Sequence, residues 1–343
     1  MFIAGCSATE HAADASRFPA VTVTDVFAPP GESNVRSSFA LGDGAALIGT
    51  EETGDVYKTT DSGRSWVKMI DGGDDFGIQD VRNFLRGQDG LLYATTSEPA
   101  LVLRSDDEGE SWAKLVEAPA SRTVALEQLA DGTMIVGLRR SENDRISVLR
   151  SGDGFESFEV VVLDDDLPRQ NTTCVFETST GAVLAGVGFE LSGKVFRSAD
   201  AGRTWTQTAE FAEARDLMDF FEIDGRLFVT ASGIATIYVS DDDGRSWSRH
   251  AQIWDKGFLG EHAELEFGGQ TYHLLSGTDQ RADIKRHVVL ISADAGETWR
   301  EWIELTTDVS GGASNLEVID GRTVIVGTGN HAVQGRVWTL TVR

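Results

Sequence analysis

Short β-prone segments alternate with turn residues along the whole chain. In one representative unit they cover residues 81–86, 91–96, 101–105 and 112–116. Segments of this length, bounded by Gly, Asp and Ser, are typical of strands joined by tight turns. The pattern therefore predicts repeated units of four strands each.

An eight-residue motif, Ser/Thr-x-Asp-x-Gly-x-Ser/Thr-Trp, marks these units. Five copies match in full, at residues 59–66, 105–112, 198–205, 240–247 and 292–299. A sixth copy, at 151–158, has Phe155 in place of the glycine and Phe158 in place of the tryptophan. Near-constant spacing of about 45 residues is typical of a repeat architecture.

The motif resembles the Asp box, or BNR repeat, of sialidases, the Vps10 domain of sortilin, xyloglucanases and photosystem II assembly propellers. The resemblance implies a β-propeller in which each box lies on the hairpin between the third and fourth strands, at the face opposite the binding or active site. An Asp side chain can accept backbone hydrogen bonds in a tight turn, and glycine adopts the left-handed conformation there. A structural role is therefore expected for Asp61, Asp107, Asp153, Asp200, Asp242 and Asp294.

Seven glycine-containing turns join the first two strands of successive units, one more than the number of boxes. The seventh unit, residues 313–343, shows only three strands, and the β-prone residues 21–27 are the best source of a fourth. Pairing both chain ends in one blade closes the ring and removes open sheet edges. We therefore predict an all-β fold over residues 19–343, a seven-bladed propeller of four-stranded antiparallel blades whose last blade includes residues 19–28. Six blades is the alternative.

Candidate binding residues lie where the innermost strands enter the propeller, at the end of the central channel opposite the boxes, here called the mouth. Counting back from each turn glycine places four arginines and two asparagines near the mouth: Arg36, Arg82, Arg122, Arg215, Asn34 and Asn171. Trp254 and Arg281 come from loops at the same end. Guanidinium groups hold carboxylates or sulfates in bidentate fashion, so these residues predict an anion pocket. The alternative is a set of arginine–carboxylate pairs that fill the channel.

The residues near the mouth are compatible with either catalysis or binding. The candidate catalytic residues near the mouth are Asp80, Asp219, Glu261 and His262. The sialidase signature is missing, because Arg36 is followed by Ser37-Ser38 instead of Ile-Pro, and no tyrosine suits the role of nucleophile. We therefore expect a non-catalytic binding or assembly propeller that recognises a protein partner, a membrane-protein complex or an anionic ligand such as a saccharide. A glycoside hydrolase or polysaccharide lyase that uses the mouth carboxylates is the alternative.

Charge and the N-terminus bear on partners and location. The formal net charge of −25 disfavours nucleic acid as a partner, because the surface repels phosphates.

Ile3-Ala4-Gly5-Cys6 resembles a bacterial lipobox, and residues 7–17 are small and polar like a tether; the alternative is a chance match. The resemblance predicts an extracytoplasmic protein whose only membrane attachment is a lipid on Cys6. The propeller itself is expected to be monomeric. No Cys/His metal spacing occurs, so neither a metal nor another cofactor is expected.

Overall fold

The computed structural model describes residues 18–141, 145–168, 170–188, 192–282, 285–305, 312–330 and 333–343. Antiparallel strands dominate these residues, and Cys6 with its tether lies outside them. One short helix, α1 (Gly72–Phe76), is present in the described part. No helix there is long and apolar enough to cross a membrane.

The first four sets of strands each follow the chain in order, and neighbours within a set are hydrogen-bonded. The first set contains β2 (Asn34–Gly42), β3 (Ala45–Glu51), β4 (Val56–Thr59) and β5 (Val67–Ile70). The second contains β6 (Asp80–Arg86), β7 (Leu92–Ser97), β8 (Leu101–Ser105) and β9 (Ala113–Glu117). The third contains β10 (Ala120–Gln128), β11 (Met134–Ser141), β12 (Arg145–Ser151) and β13 (Glu159–Pro168). The fourth contains β14 (Asn171–Glu177), β15 (Val183–Gly188), β16 (Gly193–Ser198) and β17 (Thr206–Phe211).

The next two sets share a long strand. The fifth contains β18 (Ala214–Ile223), β19 (Arg226–Ser240) and the first part of β20 (Ser248–Phe267). The first half of β19 pairs with β18 and its second half with β20, so β19 supplies both middle strands of this set. The second part of β20 opens the sixth set, which continues with β21 (Gln270–Asp279), β22 (Arg286–Ser292) and β23 (Arg300–Leu305).

Both ends of the chain meet in the last set, which contains β24 (Gly312–Asp320), β25 (Thr323–Asn330), β26 (Val333–Val342) and, at its outer edge, β1 (Val21–Phe27). β1 pairs antiparallel with β26, with Val21 opposite Val342 and Phe27 opposite Val337. The segment that the sequence assigned to the last blade therefore lies there.

The innermost strands form a closed ring. Each contacts the innermost strand of the next set, and β24 contacts β2. Apolar side chains pack between neighbouring sets, as Leu265 and Leu274 of the sixth do against Leu316 and Trp338 of the last. The all-β class and the propeller fold are confirmed. We interpret the seven sets as seven blades.

The boxes lie beside the turns between the first two strands, at what is here called the box face. The Ser62 amide of the first box donates to the carbonyl of Gly44, which belongs to such a turn, at 2.9 Å. Within that box, Asp61 accepts hydrogen bonds from the Ser65 amide (2.8 Å) and the Ser65 hydroxyl (2.6 Å). The degraded sixth copy keeps the same bonds between Asp153 and Ser157, at 2.9 and 2.6 Å. These bonds hold the turn between the third and fourth strands.

A register shift recurs in every innermost strand that the structure describes. In β2 it falls between Val35 and Ser37, and equivalent shifts occur in the innermost strand of each other set. An extra residue in one strand of a pair changes which face the following side chains occupy. The shifts therefore decide which residues reach the channel.

Candidate functional site

Two connected cavities occupy the mouth and the channel behind it. The channel cavity, about 170 Å³, is lined by Arg36, Arg82, Val124, Thr173, Asp219 and Glu261, among others. The mouth pocket, about 490 Å³, is lined by Arg36, Arg215, Asp216, Met218, Lys256 and Phe258, among others. Arg36 and Met218 line both cavities and so connect them.

Arginine–carboxylate pairs form a chain across the first blades. Arg36 pairs with Glu51 at 2.6 Å, and Asn34 also donates to Glu51, at 3.2 Å. Arg82 pairs with Asp80 at 2.6 Å and lies 3.9 Å from Glu51. Burial acts to raise the pKa of Glu51, but the charges of Arg36 and Arg82 hold it below its usual range. Burial and the nearby Arg36 lower the pKa of Arg82 to about 10, which leaves it charged at neutral pH.

Arg122 continues this chain into the third blade. It pairs with Glu98 at 2.9 Å and lies 3.9 Å from Asp80. Three of the four predicted arginines are therefore already paired with protein carboxylates, as in the alternative that sequence reasoning left open. Asp80 serves these pairs and is buried, so it does not face the channel cavity as a free acid. Asn171 is likewise buried, at the start of β14.

The mouth pocket carries the cations that remain open to solvent. The side chains of Arg215 and Lys256 are exposed, and neither has a salt bridge among the described residues. Phe258 and Met218 add apolar surface to the same pocket. Counting back from the turn glycines finds Arg215 but misses Lys256, which belongs to the connection into the sixth blade. The sequence feature that points to Lys256 is its position two residues before Phe258 on a chain poor in basic residues.

Several carboxyl groups on the innermost strands have raised pKa values. Burial raises the pKa of Asp219 to about 7, although Asp219 accepts a hydrogen bond from the His262 amide at 2.9 Å. Burial and the charge of Asp219 raise the pKa of Glu261 well above its usual range, and Glu261 accepts from the Leu316 amide at 3.2 Å. Burial likewise raises the pKa of Glu127 to about 8 and that of Glu317 to about 7. Burial therefore favours the neutral form of each of these four carboxyl groups.

His262 does not lie where the sequence predicted it. The register shift between Leu259 and His262 turns its side chain away from the channel cavity. Its ring stacks on Phe221, with centroids 4.2 Å apart, and its Nε2 lies 3.1 Å from Nδ1 of His273. Burial and the neighbouring His273 lower the pKa of His262 to about 3. His262 therefore lines neither the mouth pocket nor the channel cavity.

Trp254 also departs from its predicted place at the mouth. Its side chain packs in the core between the fifth and sixth blades, and the residue is only 3% exposed. The indole Nε1 donates to Glu301 at 3.4 Å, so the ring is held inside the protein. Arg281 is exposed but pairs with Asp279 at 2.8 Å. Neither Trp254 nor Arg281 therefore offers an unpaired group to a ligand at the mouth.

Comparison with protein-family models and with curated proteins gives no match. Among solved structures, the chain is similar to YCF48 bound to D1 peptide, with 15% identity and a TM-score of 0.61 over 93% of this chain and 94% of that one. It is similar to a catalytically inactive virginiamycin B lyase from Staphylococcus aureus with quinupristin, with 11% identity and a TM-score of 0.70 over 94% and 100% of the two chains. It is also similar to the GH74 xyloglucanase from Xanthomonas campestris, with 17% identity and a TM-score of 0.65 over 94% of this chain and 53% of that one. At such identities the likeness concerns the fold, and it identifies the chain as a β-propeller.

Proposed function

We propose that this protein is a non-catalytic binding or assembly propeller whose mouth pocket holds an acidic segment of a protein partner. The observation that carries the proposal is the grouping of Arg36, Arg215 and Lys256 around one pocket of a chain with a net charge of −25. Arg215 and Lys256 are exposed and have no salt bridge among the described residues. Cations in a concave pocket bind carboxylates through charge-assisted hydrogen bonds.

Size and lining support a peptide ligand. Ligand pockets usually measure about 300–1,000 Å³. The mouth pocket, about 490 Å³, falls within that range. Phe258 and Met218 offer apolar contacts beside the cations, which suits a segment that combines acidic and apolar side chains. A protein of similar fold, YCF48, has been seen with a bound peptide, which is in keeping with this use of the scaffold.

The location that goes with this function is extracytoplasmic. It rests on the lipobox-like sequence ending at Cys6, which would carry the lipid, and on the polar residues 7–17. Globomycin treatment of producing cells, which blocks lipoprotein signal cleavage, should shift the mass of the protein if Cys6 is lipidated. An unchanged mass would remove the anchor and leave the binding proposal standing.

Binding is tested with a display library of peptides that mix acidic and apolar residues. The double variant Arg215→Ser/Lys256→Ser should lower the affinity for the selected peptides by at least about tenfold, because each charge-assisted bond contributes roughly 1.5–3 kcal/mol. The matched control is Arg64→Ser/Arg104→Ser, which removes two exposed arginines away from the pocket with the same change in net charge. Equal weakening in both double variants would mean unspecific charge attraction and would refute the proposal.

A glycan-active enzyme is the second candidate, and one observation favours it. Asp219 and Glu261 line one cavity with two arginines, and both have raised pKa values suited to a general acid. The channel cavity, about 170 Å³, is smaller than usual ligand pockets. Turnover of sialosides, uronate polymers or β-glucans that is lost in Asp219→Asn would establish enzymatic activity. If none of the three is turned over, binding remains as the proposed function.

A further inference from the structure

A second cluster of functional side chains lies outside the mouth, on the first hairpin of the sixth blade. His262 and Glu264 are two residues apart on β20 and so share one face of that strand. His273 lies on β21 directly opposite Glu264 in the antiparallel register. The sequence shows no metal spacing because His273 is brought to the other two only by this pairing.

The three ligand atoms lie close enough to share one ion. Nε2 of His262 is 3.1 Å from Nδ1 of His273, and that Nδ1 is 3.6 Å from a carboxylate oxygen of Glu264. All three ligand atoms lie within 4.8 Å of one another. With Zn–N bonds of about 2.0–2.1 Å, two ligands of a tetrahedral zinc ion lie about 3.3 Å apart. The observed spacings match this value within a few tenths of an ångström for the two measured pairs.

Surroundings of the cluster favour a cation over an incidental contact. Phe221 of the preceding blade stacks on the His262 ring and fixes its orientation. The His273 side chain is 7% exposed, whereas that of Glu264 is 54% exposed and borders solvent. Asp224 and Glu266 place further negative charge near His273. Negative charge close to the cluster favours a bound cation.

We propose that His262, His273 and Glu264 form a binding site for a divalent metal ion of the zinc type. Nε2 of His262, Nδ1 of His273 and the carboxylate of Glu264 supply three ligands, and the exposed side of Glu264 leaves the fourth position to water. Two imidazoles and one carboxylate suit zinc and cobalt better than calcium or magnesium, which prefer oxygen ligands only. The site is independent of the proposed peptide binding.

Metal binding is measured on protein made without a polyhistidine tag and freed of metal by chelator. Zn²⁺ alone is titrated calorimetrically, and Co²⁺ alone is followed by its visible absorption, which is strong in four-coordinate sites. We expect one ion per chain at this site, visible Co²⁺ bands, and a melting temperature that rises by several degrees with saturating Zn²⁺.

Variants assign the binding to these residues. Loss of a supporting carboxylate around a metal site typically weakens binding 10–100-fold, so loss of a ligand in His273→Ala or Glu264→Gln should weaken it by about 100-fold or more. His250→Gln removes an imidazole outside the cluster and should bind as the parent protein does. His273 is buried and its variant can fail to fold; Glu264→Gln changes an exposed side chain and then decides the question. No Zn²⁺ binding, or binding equally strong in Glu264→Gln and the parent, would overturn the site.

Discussion

Replacing Glu127 with glutamine should stabilise the protein above pH 8 and change little at pH 5. Burial, then the charges of Glu177 and Asp219, raise the pKa of Glu127 from 4.5 to about 8. The folded protein therefore keeps this proton up to about pH 8, whereas the unfolded chain releases it near pH 4.5. The unfolded state binds fewer protons within that window, so stability falls as pH rises through it. Glutamine resembles the protonated acid and removes the loss.

The stabilisation by Glu127→Gln at high pH has an upper limit, and the partial exposure of Glu127 reduces it. A rise from 4.5 to about 8 corresponds to at most about 5 kcal/mol at 1.36 kcal/mol for each pKa unit. Glu127 is only partly buried by accessible surface, so solvent reduces the cost of ionising it. We expect a gain of about 1–2 kcal/mol in the free energy of unfolding at pH 9, since partial exposure screens the charge.

Urea denaturation at pH 5 and pH 9, followed by tryptophan fluorescence, measures this gain. The control is Glu156→Gln, which removes one negative charge from an exposed position in the same blade. Its unfolding midpoint should shift equally little at both pH values. Equal stabilisation by Glu127→Gln at pH 5 and pH 9 would show that proton release is not the cause and would refute the reasoning.

Two further predictions concern the boxes and the arginine chain. Asp242→Ala and Asp153→Ala should each lower the melting temperature by about 3 °C, because both aspartates accept the same three hydrogen bonds, although the box of Asp153 has lost its glycine and tryptophan. An unchanged melting temperature of Asp153→Ala in calorimetry would contradict this. Glu51→Ala should cost about 3 kcal/mol in urea unfolding, because it leaves Arg82 and Arg36 in a site where the Glu51 side chain is only 5% exposed. A cost below about 1 kcal/mol would mean that these pairs are no stronger than exposed ones.

Repetition is the part of this fold that the sequence predicts best. Each box carries its own turn chemistry, and the bonds of Asp61 and Asp153 depend only on residues within four positions. The pairing of β1 with β26 joins residues more than 300 positions apart, but it follows from counting strands and from the cost of an open sheet edge. Local turn rules and the counting of strands therefore predict most of the architecture.

The site was harder to predict because register shifts leave no mark in composition. Counting from the turn glycines assumes strict alternation, but register shifts within β18 and β20 change which side chains face the channel. Leu217 and Leu259, which lie beside these shifts, are fully buried in the core. The same shift turns His262 from the mouth toward His273. The arginines were located, but their partners, such as Glu51 on the neighbouring strand β3, follow only from the pairing of strands.

The position of β1 at the outer edge of the last blade also sets a direction. Val21 lies opposite Val342, at the end of β26 that points to the box face, whereas Phe27 lies toward the mouth. The chain before Phe18 therefore joins the propeller at the box face. If Cys6 carried a lipid, the membrane would lie on the side of the box face. Arg215 and Lys256 would then lie at the opposite end of the propeller, away from the membrane. A propeller tethered in this way would present its mouth pocket to partners that arrive from the surrounding space.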